Sequence, residues 1–242
     1  MGSLAQSDFV SEIIAGLGNR TDITTQRIVN VLNLSQSRLS RAYDFTEMQQ
    51  IGTTPVPFTG VGANDKFLAL PTGIKTIHSL VLVDNTASPG SLGNSRKMTE
   101  KPWRWFDQRF PVPEYLSPGW PSIYTRWGNI AIMVPVPSAT FQAQLRWTSW
   151  PTALSVSATT QVSDFDNKDD ILIYLSLAYL WNSLGRAEKA APYMQEAVNA
   201  TKEAIKREGT RPDMEVSRDI STNPIGDSNN YWADPFIRAV YT

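Results

Sequence analysis

Asp107 and Glu114 lie in one aromatic stretch, PWRWFDQRFPVPEY. Two carboxylates beside rings that can stack sugars are the equipment of glycoside hydrolysis, one acting as acid and the other as base or nucleophile. That chemistry needs a fixed separation, and nothing in the sequence sets one here. His78 is the single histidine. A histidine metal site or a catalytic triad needs more, so His78 reads as a structural or surface residue. Asp164-Phe165-Asp166-Asn167-Lys168-Asp169 has the outline of a calcium loop, but Lys168 stands at a ligand position. It reads better as an acidic helix start, with Asp166, Asp169 or Asp170 as the cap. The glycines of GVGAND do not open a helix after a strand, which a phosphate loop requires. Cysteine is absent, which excludes disulfides, thiolate metal sites and cysteine nucleophiles. The expectation is a chain with no catalytic, cofactor-binding or metal-binding residues, and not an enzyme.

The elements that would position any site follow from composition and period. The 242 residues are 41% hydrophobic and 19% charged, enough to bury a core. The net charge of −1 is not that of a polycation built to neutralise DNA phosphates. The N-terminus shows no signal-peptide pattern and no apolar run reaches spanning length, so a soluble protein without membrane contact is expected.

Ser7-Asp8 is expected to cap a helix running to Leu17, stopped at Gly18-Asn19. Asp22 is expected to cap a longer helix with a stripe of Ile28, Val31, Leu32, Leu39 and Ala42. Arg27, Arg38 and Arg41 fall beside that stripe, as a solvated face or one turned to nucleic acid or an acidic neighbour. From Phe45 to Trp150 the pattern is β. Strands are expected at 66–70 and 74–84, after the turn-rich GTTPVPFTGVGAND, with a polar loop over 85–101. The aromatics of 103–120, too scattered for one strand, would plug the edge of the β core. Ile123–Trp127, the turn Gly128-Asn129, Ile130–Val134 and Phe141–Trp150 read as one antiparallel meander.

A linker over 155–170 leads to ILIYLSLAYLWNSLG, apolar nearly all round and therefore a helix packed on several sides. A second helix ends at Gly209, and Pro192 either kinks it or marks its true start. The last segment ends in Tyr231, Trp232, Phe236, Ile237 and Tyr241. An aromatic terminus without its own core tends to dock on something. The expected fold class is α+β. A helical bundle of N-terminal helices plus a C-terminal helix pair carries an inserted antiparallel β domain and an extended C-terminal tail. The segments are 1–44, 45–154, 155–209 and 210–242.

Pro121, Tyr124, Arg126, Gly128, Ile130, Ile132, Pro135 and Pro137 form a P-x-x-Y-x-R-x-G-x-I-x-I-x-x-P-x-P pattern. FQAQLRW and Pro151 to Leu154 follow it. Next comes a helix with Asp170, Leu172, Leu177-Ala178, Trp181 and Leu184-Gly185, and LPTGIKTIHSLVLVD precedes the whole. In this order, over residues 8 to 209, the chain resembles the head-to-tail adaptor proteins of tailed bacteriophages.

The resemblance implies a structural protein of the virion's head–tail junction, assembled in the host bacterial cytoplasm. Such adaptors form a homo-oligomeric, usually dodecameric ring beneath the portal protein. They extend the channel through which double-stranded DNA passes transiently, and they present a surface to tail or nozzle proteins. No catalytic residues carry over. Tyr231, Trp232, Phe236, Ile237 and Tyr241 would contact the portal or a neighbouring subunit. Arg27, Arg38 and Arg41 would face the channel or a subunit. The alternatives are a tail-associated or carbohydrate-binding β module, or another connector ring protein such as a stopper or tail terminator.

Overall fold

The computed structural model describes residues 4–20, 22–56, 58–60, 62–84 and 95–209. The chain divides into two compact units. One holds the described residues up to Met48 and from Trp150 onward, and the other is Gln49–Ser149.

The first unit is built on four helices: α1 (Gln6–Gly16), α2 (Thr25–Ala42), α5 (Asp169–Ser183) and α6 (Ala187–Gly209). Helix α5 is apolar nearly all round because α1, α2 and α6 all pack against it. Phe9 and Ile13 of α1, Ile28, Leu32 and Leu39 of α2, and Leu172, Leu175 and Leu180 of α5 are fully buried together. Helix α6 closes the core with Ala190, Ala197 and Val198. Its Pro192 lies inside the helix, which starts at Ala187.

The helix starts differ from those expected. The first turn of α1 has no side-chain cap. Gln6 and Ser7 instead donate their backbone N–H groups to the carbonyls of Gln161 and Thr159, at 2.8 and 3.0 Å. These bonds do the work assigned to Ser7-Asp8. Thr24, not Asp22, caps α2 by accepting from Arg27 N–H, while Asp22 holds Arg20. Lys168 occupies the cap position of α5 without a side-chain bond to the helix, while Asp170, one of the expected caps, accepts from Ile171 N–H at 2.9 Å. The expected stop of α1 is present, with Gly18 and Asn19 both left-handed and Asn19 N–H donating to Ile14 O.

Residues 155–170 are not a bare linker. Phe165 is fully buried and meets Phe45 edge-on at 5.7 Å, and Ala5 pairs with Val162.

The second unit has two four-stranded sheets. β1 (Gln49–Val56), β8 (Phe141–Ser149), β3 (Ile74–Asp84) and β4 (Ser95–Lys97) form an antiparallel sheet, in that order. β2 (Phe67–Ala69), β7 (Ile130–Val134), β6 (Ile123–Trp127) and β5 (Thr99–Glu100) form the other. Its β5–β6 pair is parallel, so this sheet is mixed. Leu80, Leu82, Phe141, Ala143 and Leu145 of one sheet share a core with Leu68, Tyr124, Ala131 and Met133 of the other. A one-turn helix, α3 (Gly62–Asp65), and a two-turn helix, α4 (Trp103–Arg109), complete the unit.

The β6–β7 hairpin forms as read, with Gly128 at φ 60° in its two-residue turn. The expected stop of β7 is present, since the strand ends at Val134 and Val136 O accepts from Gly119 N–H. Three other expectations for this unit are corrected. Strand β8 is not the third strand of that meander, for it joins the opposite sheet between β1 and β3. GTTPV, read as turns, lies in strand β1, where Pro55 is tolerated because β1 is a sheet edge. Part of the expected 85–101 loop is strand, at β4 and β5. Among the described residues no helix is long and apolar enough to cross a membrane.

Candidate interaction surfaces

The residues that suggested chemistry have other occupations. His78 is exposed on β3, and its Nε2 lies 2.6 Å from the Thr148 hydroxyl. Glu114 accepts from Lys66 at 2.7 Å. That ammonium holds the Glu114 carboxyl below the usual range, the opposite of what a general acid requires. The GVGAND loop is closed by Asp65, whose carboxylate accepts from Thr59 N–H, Thr59 Oγ1 and Gly60 N–H. In the acidic run before α5, Asp164 accepts from Thr152 N–H and Asp169 from Leu4 N–H. These carboxylates bind separate segments and do not converge. No group of three metal-ligating side chains occurs among the described residues.

Of the three arginines singled out, two join α2 to α5. Arg38 donates to the Tyr179 hydroxyl at 2.6 Å and its guanidinium lies 4.7 Å from that ring's centre. Arg27 donates to Ser183 Oγ at 2.9 Å. Ser35 and Ser176 hydroxyls meet at 3.1 Å in the buried seam between the same helices. Arg41 is exposed in the last turn of α2, where a cation complements the helix dipole. Tyr231, Trp232, Phe236, Ile237 and Tyr241 lie outside the described residues.

A buried ionic cluster stands where α6 ends. Lys168 donates to the Glu47 carboxylate, sits 3.1 Å from Glu208, and places its ammonium 4.6 Å from the centre of the Phe45 ring. Glu208 also accepts from Thr46 N–H at 3.0 Å. The cluster ties the α2–β1 connection, the start of α5 and the end of α6 together. Burial, then the nearby Glu208 and Asp44 carboxylates, push the Tyr43 hydroxyl up.

The second unit carries a cleft of about 210 Å³ between α4 and the outer face of the mixed sheet. The sheet side gives Phe67, Thr125, Trp127 and Ile132, which share that face by register. The helix side gives Trp103 and Phe106, and the chain beyond it Phe110. Trp103 and Trp127 meet at 4.8 Å and remain 45% and 54% exposed. Tyr115, just past the cleft, is 87% exposed.

Of the aromatics of 103–120, Trp120 packs on the β core with its ring 4.7 Å from that of Phe141, while α4 buries only Phe106. Thr125 is buried at the cleft floor, and its hydroxyl has no hydrogen-bond partner among the described residues. This cleft was missed in the sequence. Its signal was W-R-W-F, whose helical spacing puts Trp103 and Phe106 on one face.

No curated protein matches the chain. The family model described as SU10 adaptor protein matches residues 6–221, a span that takes in both units and every helix and strand above. With both units inside one match, the chain belongs to the SU10 adaptor protein family, a family of tailed-phage head-to-tail adaptors.

Proposed function

We propose that this protein is a structural component of the virion that forms a ring beneath the portal, extends the DNA channel and presents a docking surface to tail proteins. The observation that carries this reading is the family match over residues 6–221, which spans the helical and β units alike. Ring closure uses a heterologous contact, in which one surface of a copy meets a different surface of the next. Tyr231, Trp232, Phe236, Ile237 and Tyr241 are the proposed contacts to the portal or to a neighbouring subunit. Arg41 keeps its proposed place on a channel or subunit face. Arg27 and Arg38 contribute there only through the α2–α5 seam they hold. Net charge of −1 suits a wall past which DNA slides without being gripped.

The reading includes no catalysis. Glu114, held ionised by Lys66, favours a structural part over a glycosidase acid. The four packed helices of the first unit exceed what a simple carbohydrate-binding β module needs.

Negative-stain electron microscopy of the protein with the portal ring of the same phage tests the proposal. The expected image is a ring stacked on the portal with matching symmetry. A folded protein that leaves the portal bare overturns it.

A further inference from the structure

We infer that the aromatic cleft beside α4 receives the C-terminal segment around Trp232–Phe236 of a neighbouring copy. The inference rests on the ring reading above and names the two surfaces that such a ring would join.

Three observations carry it. First, the cleft is built for an apolar plug. Its walls are the Trp103–Trp127 pair, Phe106 and Phe110, and its volume of about 210 Å³ is on the scale of one large side chain. Indoles this exposed on a folded surface mark a contact that water alone does not reward. Second, the floor offers a hydrogen bond. The Thr125 hydroxyl is 2% exposed and unpartnered among the described residues, and it lines the cleft. A buried hydroxyl left in that state costs stability, and a peptide N–H, carbonyl or phenol entering the cleft removes the cost.

Third, the chain itself supplies a matching plug. Gly226–Phe236, GDSNNYWADPF, carries Tyr231, Trp232 and Phe236 with Asp227 and Asp234, and no cation. The cleft's charged lining is Lys66, paired with Glu114, and Asp107, so the match is between the segment's aromatic side chains and the cleft's aromatic walls. Cleft and plug are different surfaces of one chain, which is the condition for head-to-tail closure. Residues 210–242 are long enough to reach a neighbour, since an extended chain spans about 3.3 Å per residue.

The test uses the full chain with a benzophenone amino acid at position 236 and an equal mixture of 14N and 15N copies. Photo-cross-links are mapped by mass spectrometry after ring assembly on the portal. The expected product joins position 236 to the 103–110 or 125–132 segment of a copy with the other isotope. Trp127→Ala should lower its yield by about tenfold or more, as loss of an aromatic anchor does. Ile51→Ser, a change at a still more exposed apolar residue on β1, should leave the yield unaltered.

Cross-links confined to the same copy, to the portal, or insensitive to Trp127→Ala overturn the inference. If the ring still stacks on the portal in those cases, the adaptor reading stands. If no ring forms on the portal from the unmodified chain, that reading fails first.

Discussion

Lys168 and Asp169 are adjacent in sequence and opposite in effect. Lys168 is buried between Glu47 and Glu208, so its ammonium compensates two carboxylates that have left water. Removing one partner of such a group leaves an uncompensated buried charge, at about 3–5 kcal/mol. Lys168→Met should destabilise the first unit by that order in denaturant unfolding, and Glu208→Gln in the same chain should recover part of the loss. Arg207→Ala is the contrast. Its pair with Glu203 is 82% and 71% exposed, and that pair should contribute no more than about 0.5 kcal/mol in a double-mutant cycle with Glu203→Ala.

Asp169 has its carboxyl pushed up, by burial first and then by the Asp170 and Asp166 charges, against the Leu4 N–H that lowers it. The folded state therefore holds this proton more tightly than the unfolded chain does. Stability from Asp169 is complete below the unfolded value, about 3.9, and is lost as pH rises through the folded one. Asp169→Asn keeps an acceptor for Leu4 and cannot ionise. Its stability relative to the parent should rise between pH 3 and pH 7. A difference that stays flat or falls over that range would mean that the folded state does not favour the protonated carboxyl.

Helix α5 sets the stability of its unit, because three other helices meet on it. Leu172 is fully buried in that core. Leu172→Ala should cost about 2–5 kcal/mol, read as a lowered denaturant midpoint with little change in slope. The same helix was the most legible element in the sequence, since an all-round apolar run has one physical reading. Strand β3 and the β6–β7 hairpin were legible for a similar reason, with period-two patterns bounded by Gly73 and Gly128.

The misreadings share a cause. Strand β1 hides Pro55 and Gly52 at a sheet edge, where the rule against strand proline relaxes. Gly52 there faces Trp147, whose ring would lie 2.8 Å from an added Cβ, so a glycine that looks like a turn marks close packing. Strand β8 has the alternation expected of it, but alternation does not say which sheet a strand joins. The start of α1 is settled by Gln161 and Thr159, which are remote in sequence. The cleft needs α4 and β6 brought together, and no local pattern reports that meeting.

At the scale of the molecule, the described core of the first unit lies before Gly209. Its buried apolar residues run from Phe9 to Val198, and Glu208 closes the ionic cluster one residue before α6 ends. Deleting residues 210–242 leaves these described residues in place. The truncated protein should keep the helical circular-dichroism signal and a cooperative thermal transition close to that of the full chain. It should also fail to co-sediment with the portal and fail to form the ring, because the aromatic segment is the proposed plug. Fold and assembly are separable in this way only if the tail acts between molecules. A truncated chain that unfolds would show that the tail completes its own unit. A truncated chain that still assembles on the portal would remove Tyr231, Trp232, Phe236, Ile237 and Tyr241 from the interface. Assembly would then rest on the helical and β units alone.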